Sequence, residues 1–139
     1  MEEKKLTMKE LYDKIIERYE SRGANEKLYL MGITMQNHGG YGEPYDNFNE
    51  ECYKIGRSYT DANQYLSLVH ESDKAVKNFI EYFSKVDDPV EIVFFGDHQP
   101  SLNSNFYPLL NGKGMSGLTE DELEALYTVP FFIWTNYDT

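Results

Sequence analysis

Three short apolar runs, Leu28–Met35, Val90–Phe95 and Val129–Trp134, constrain this chain most, because a segment with helical periodicity precedes each of them. Runs apolar on both faces suit strands covered from both sides, the habit of parallel sheets. Ahead of the first, Met8, Leu11, Tyr12, Ile15, Ile16 and Tyr19 recur at the spacing of one helix face. Thr7 and Glu10 form a capping-box pattern there, and Gly23 marks a stop. Ahead of the second run, Asp61 to Lys85 reads as a long helix striped by Tyr65, Leu68, Val69, Ser72, Val76, Phe79, Ile80 and Phe83, and Asp88-Pro89 ends it. A third helix starts at Thr119, with a capping box to Glu122 and with Leu123, Leu126 and Tyr127 facing inward. Pro130 lacks a ladder donor and belongs at a strand start or an edge. The alternation predicts one α/β domain over residues 1–139, with a mostly parallel sheet, flanking helices and right-handed crossovers. Residues 36–58 and 99–118 read as irregular, and loops of that length usually wall a functional site.

With 139 residues there is material for one core and not for two. Aromatic residues reach 15%, which argues for a folded chain. Thirteen Lys and Arg against 24 Asp and Glu leave a net charge of -11. That sign repels phosphate backbones and anionic lipid, so nucleic-acid binding and lipid docking are disfavoured, whereas a cation suits it. A single cysteine, Cys52, excludes an internal disulfide framework and a multi-Cys zinc site. The N-terminus has no apolar core of a signal peptide. Every apolar run falls far short of the roughly 20 residues that span a bilayer, so the chain as it stands reads as soluble.

In open parallel sheets, ligands bind beyond the carboxyl ends of the strands. The residues just past the three runs are Gln36-Asn37-His38-Gly39-Gly40-Tyr41, Gly96-Asp97-His98-Gln99-Pro100, and Asn136. Asp97-His98 is the sharpest pair: a carboxylate and an imidazole leaving a rigid strand together can reach one ion, and mixed O and N donors suit Zn²⁺ or Mn²⁺ better than Ca²⁺. The competing reading is a strand-end turn with both side chains bonded locally. Two ligands do not complete a coordination sphere, so further donors must come from elsewhere. His38, in a glycine-flanked turn, is a candidate donor to an anionic oxygen or a general acid, with a solvent-exposed turn residue as its alternative. His70, within the long helix, reads as structural, and Asp73 as a partner for a nearby backbone or basic group. Trp134 and most tyrosines read as core, with Tyr41 and Tyr45 in the first loop as the exceptions. Cys52 has no catalytic context.

The segments Thr34-Met35-Gln36-Asn37-His38-Gly39-Gly40-Tyr41, Asp73, Phe94-Phe95-Gly96-Asp97-His98-Gln99-Pro100 and Val129-Pro130-Phe131-Phe132-Ile133-Trp134 together resemble the sulfatase-type catalytic domain of lipoteichoic acid synthases. These are phosphoglycerol transferases of the alkaline phosphatase superfamily. The resemblance implies that Asp97 and His98 bind a catalytic divalent metal, typically manganese with zinc or magnesium as alternatives, and that His38 contacts the substrate phosphate. It also implies a threonine nucleophile and a further acidic ligand from an N-terminal half of the domain, a partner this chain does not contain. Thr60, Thr119 and Thr128 fall at helix termini and are not promoted to that role, so no catalytic nucleophile is assigned. The Cys-x-Pro-x-Arg pattern of formylglycine enzymes does not match Cys52-Tyr53-Lys54-Ile55-Gly56.

The expectation is therefore the C-terminal part of a metal-dependent enzyme acting on phosphoglycerol or other phosphate (or sulfate) esters in cell-envelope polymer synthesis, inactive in isolation. By resemblance the parent is membrane-anchored with an extracellular catalytic domain. The alternatives are a stand-alone α/β module that binds a metal or anion without turnover, and a structural domain in which Asp97-His98 is incidental. An uncovered sheet edge would favour self-association.

Overall fold

Helix α1 (Met8–Glu20) begins as its sequence dictates. The Thr7 hydroxyl accepts from the Glu10 amide at 3.2 Å while the Glu10 carboxylate accepts from the Thr7 amide at 2.8 Å, closing the reciprocal box. In a computed structural model of the protein, residues 6–42 and 59–138 are described. Tyr45 and Cys52 lie outside them.

The longest element is α2 (Thr60–Phe83), which buries Leu68, Ser72, Ala75, Phe79 and Phe83 at the three- and four-residue steps of one face. Tyr12 of α1 stacks on Phe79 with ring centroids 4.3 Å apart, and Tyr19 meets Phe83 edge-on at 5.1 Å. Both contacts advance along both chains, so the two helices run in the same sense. At their C-terminal ends the Tyr82 hydroxyl donates to Glu20 at 2.9 Å and the Tyr19 hydroxyl to Asp88 at 2.8 Å. Arg22 lies 3.8 Å over the Tyr19 ring and pairs with Asp88. Burial of its ring pushes the Tyr12 hydroxyl up to a pKa of about 12.

Strands β1 (Glu91–Phe95) and β2 (Phe131–Thr135) form a two-stranded sheet. They pair antiparallel, with Ile92 opposite Trp134 and Phe94 opposite Phe132, rather than parallel as the helix–strand alternation predicts. The reason lies in the connection. A parallel neighbour needs a crossover that carries the chain back along the strand. Residues 96–130 instead hold only the short helices α3 (Tyr107–Asn111) and α4 (Glu120–Ala125) and a 3₁₀ turn at Met115–Gly117, and they leave and re-enter at the same end, where Gly96 N–H donates to Pro130 O at 3.0 Å. The stretch expected to be irregular thus contains two of these elements. Capping of α4 by Thr119 and Glu122, and the position of Pro130 just before β2, are as predicted.

Leu28–Met35 differs most from expectation. It joins no strand ladder among the described residues. Its inner side closes on α1 at Gly32, where a β-carbon would come within 3.2 Å of both Leu11 and Ile15. Its outer side leaves Tyr29 91% and Ile33 73% exposed. The β-sheet repeats the pattern: Phe94 and Phe132 stack at 5.1 Å on the inner face, while Val93, Phe95, Phe131 and Ile133 lie open on the other. The architecture is therefore mixed α/β, two like-directed helices with a small antiparallel sheet.

Candidate functional site

The turn that carries His38 is pinned from below. Met8 N–H, a pure donor at the start of α1, requires the carbonyl oxygen of the Gln36 side chain and finds it at 2.9 Å. That orientation leaves the Gln36 amide nitrogen to donate to Leu68 O at 3.2 Å and to the Ser72 hydroxyl at 3.0 Å, both on α2. Ser72 Oγ in turn lies 3.1 Å from Asn37 Oδ1. Tyr41, buried at the far side of the turn, donates its hydroxyl to Asn37 O and packs its ring 5.6 Å from that of Tyr65. Tyr41 is therefore a structural residue rather than a ligand platform. His38 itself is exposed, and its amide closes the turn by donating to Met35 O at 3.1 Å. Gly40 follows with φ at 113°, a conformation that side-chain-bearing residues rarely adopt.

Asp97 and His98 leave β1 beside each other. The Asp97 side chain is 96% exposed, and its Oδ2 lies 3.7 Å from His98 Nε2. His98 Nδ1 sits 2.8 Å from Gln99 O, a contact that calls for a proton on Nδ1 and leaves Nε2 as the lone-pair nitrogen. Two donors bound to one ion at about 2.1 Å stand roughly 3.0–3.5 Å apart, so a small rotation brings this pair to chelating distance. The donor set fits a divalent transition ion as two of its ligands. Among the described residues no cluster of three or more His, Cys, Asp or Glu side chains could complete the sphere.

Both loops are seated on the same part of α2. The Gln99 side chain donates to Thr128 O at 2.7 Å, holding the exit of β1 against the segment that enters β2. Gln99 and Pro100 then line an apolar cavity of about 360 Å³ with Tyr65, Phe106, Leu110 and Leu126. Tyr65 thus touches the His38 turn through Tyr41 and shares this cavity with the residues that follow His98. Its half-buried hydroxyl is shifted above its ordinary pKa of 10 by desolvation. No hydrogen bond or ion pair joins His38 to Asp97 or His98 among the described residues.

Asn136, the third residue read as a strand-end candidate, lies elsewhere. Because β2 runs antiparallel to β1, its end is the opposite end of the sheet, where Asn136 pairs with Val90. Its side-chain nitrogen serves carbonyls at and just past the end of α2, its oxygen accepts from Val90 N–H, and the residue is structural. His70 is partly buried on α2 and has a partner, in keeping with a structural role, whereas Asp73 is exposed on the same helix. Thr119 is committed to the α4 cap. The sequence places Gln36 in the strand-end segment without assigning it a role, and Ser72 and Tyr65 read only as members of the α2 stripe. The signal for Ser72 is a polar residue inside an otherwise apolar helical stripe.

A family profile described as Sulfatase matches residues 2–139. The capsular polysaccharide biosynthesis protein RkpI of Rhizobium meliloti (strain 1021) is 30% identical over 91 residues, 66% of this chain and 15% of that protein. A putative cyclic beta-1,2-glucan modification protein from the same organism is 24% identical over 119 residues, 80% of this chain and 18% of the relative. Among solved structures, Streptococcus pyogenes phosphoglycerol transferase GacH in complex with sn-glycerol-1-phosphate is similar over 98% of this chain and 33% of its own, with a TM-score of 0.66 and 26% identity. The chain therefore spans less than a fifth of these curated relatives and a third of the solved one. No helix among the described residues is long and apolar enough to cross a membrane. With the profile running over almost its whole length, the chain belongs to the sulfatase family.

Proposed function

We propose that this chain is the part of a sulfatase-type phosphoglycerol transferase domain that contributes two metal ligands, Asp97 and His98, and a phosphate-facing histidine, His38. The substrate class is a phosphate ester of the glycerol phosphate kind, used in building or modifying cell-envelope polysaccharide. The observation that carries the reading is the Asp97–His98 pair, with its free carboxylate and its Nε2 turned to the carboxylate by the bond to Gln99 O. Similarity to GacH over 98% of the chain supports the substrate class.

In this reading the threonine nucleophile, the further acidic ligand and any membrane anchor of an extracellular enzyme lie outside these residues, so the chain alone has no turnover. Parallel strands of a larger sheet would pair beside Leu28–Met35 and cover the open face of Val93, Phe95, Phe131 and Ile133. Manganese is the favoured ion, with zinc or magnesium as alternatives. Bound by this pair, it would supply charge neutralisation on a transferring phosphoryl group. His38 presents a ring N–H to a phosphate oxygen, and the glycines that follow leave room for the ligand: a β-carbon on Gly39 would meet no atom within 4 Å.

The test is thermal unfolding with and without MnCl₂ for the wild type and for Asp97→Asn/His98→Ala. An ion at about one hundred times its Kd stabilises by roughly 2.7 kcal/mol. Two ligands bind weakly, so with a Kd of about 1 mM the wild type is expected to gain about 1.4 kcal/mol at about ten times that concentration of manganese, and the double variant to gain none. Equal responses in both would remove the metal assignment.

A further inference from the structure

We infer that Gln36 and Ser72 are positioning residues for His38, acting through Asn37; the functional consequence rests on the reading of His38 as the phosphate contact. Gln36 is the only residue among those described whose side chain hydrogen-bonds both to α1 and to α2, using its oxygen for Met8 N–H and its nitrogen for Leu68 O and Ser72 Oγ. The Ser72 hydroxyl has one proton and two acceptors in reach, Asn37 Oδ1 at 3.1 Å and Leu68 O at 3.0 Å. Leu68 O has two lone pairs, one taken by the helical N–H of Ser72 and the other by the Gln36 amide, so Gln36 steers the Ser72 proton to Asn37. That bond fixes the residue before His38, while the Tyr41 hydroxyl fixes the carbonyl of the same residue. Asn37 is therefore held at its side chain and its backbone, and His38 projects from a turn whose preceding residue cannot rotate freely.

The geometry also explains why the side chain at position 36 is an amide. A glutamate keeps the acceptor for Met8 and loses both donors, setting a carboxylate beside Leu68 O. A leucine fills the space and leaves Met8 N–H without its partner.

Two readouts on the full chain test this. The first needs no ligand: amide hydrogen exchange of His38, compared with that of the α2 core at Phe79. Ser72→Ala, an exchange that α2 accepts readily, is expected to speed exchange at His38 about tenfold with Phe79 unchanged, and Ser72→Thr to restore it. The second is the Kd for inorganic phosphate followed at the His38 ring resonances. It is expected to weaken about five- to tenfold in Ser72→Ala and in Gln36→Glu. Exchange at His38 that is unchanged in Ser72→Ala, or that changes only in step with Phe79, overturns the inference. If wild-type His38 does not respond to phosphate, the phosphate reading fails, and the positioning claim stands or falls on exchange alone.

Discussion

Asn136→Ala should cost this chain a large share of its stability, and the structure says how much. The side-chain oxygen accepts from Val90 N–H at 2.8 Å, and the side-chain nitrogen lies 2.8, 3.0 and 3.3 Å from the carbonyls of Asp88, Val86 and Phe83. That nitrogen has two protons, so at most two of the three carbonyls are served at full strength, and three good bonds is the right count. At about 1 kcal/mol net each, the loss is about 3 kcal/mol. The Asp88 carbonyl is exposed and regains water, which lowers the figure to roughly 2–3 kcal/mol. For a chain of this size that is a fall in Tm of about 6–12 °C. The assay is urea unfolding followed by Trp134 fluorescence, two positions away in β2. Asn136→Asp separates the contributions: it keeps the acceptor for Val90, loses both donors, and places a charge beside three carbonyl oxygens, so it should be at least as damaging as alanine. An Asn136→Ala variant within about 0.5 kcal/mol of wild type, or an aspartate variant as stable as asparagine, would refute the reasoning. Manganese and phosphate responses should survive in either variant, because Asn136 stands at the end of the sheet away from Asp97.

Other changes have clear directions. Thr7→Ala opens the capping box of α1 and should cost about 1 kcal/mol in a urea titration. Gly40→Ala forces a β-carbon into a positive-φ position and should destabilise by roughly 1–2 kcal/mol, which differential calorimetry will register as a lower Tm. The hydrogen bond from Lys113, reinforced by the Thr119 amide, pulls the Glu122 carboxyl down to about 2 from its ordinary 4.5. A depressed folded pKa means that the contribution is whole above about 4.5 and fades as pH falls toward 2; a carbon-detected titration of Glu122 should show the low midpoint, and Lys113→Met should raise it.

Local signals in this chain were readable because local physics decides them. Thr7 with Glu10 and Thr119 with Glu122 each close within one helical turn, and the stripe of α2 needs only a partner helix on one side. Strand direction was not readable. Val90–Phe95 and Val129–Trp134 have no residues that distinguish a parallel from an antiparallel neighbour, so the alternation of helix and strand stood in for topology. The short α3 and α4 do not carry the chain back along the sheet, and the pair closes antiparallel. That one reversal also explains the misplacement of Asn136, since it moved the end of β2 away from the end of β1. Asp97 and His98 were legible because adjacency in sequence sufficed to bring them together. Gln36 and Ser72 were not, because their significance is a contact across 36 positions that no local pattern encodes.

The apolar surface ties these errors to the proposed function. A run such as Leu28–Met35 is continuous because a covered strand needs apolar residues on both sides. Here α1 covers one side at Gly32, and the other leaves Tyr29, Met31 and Ile33 open. The sheet does the same with Val93, Phe95, Phe131 and Ile133. Surfaces of this kind mark interaction sites. If the rest of a sulfatase domain is their partner, the isolated chain should self-associate through them. Val93→Lys/Ile133→Lys should then lower the sedimentation coefficient of the isolated chain toward that of a monomer. These two positions lie opposite each other on the open face of the sheet, so the pairing of Phe94 with Phe132 on the other face stays intact and the fold should persist. A wild-type chain that is monomeric at high concentration would argue that water alone covers this face, and would take away the packing support for a larger domain.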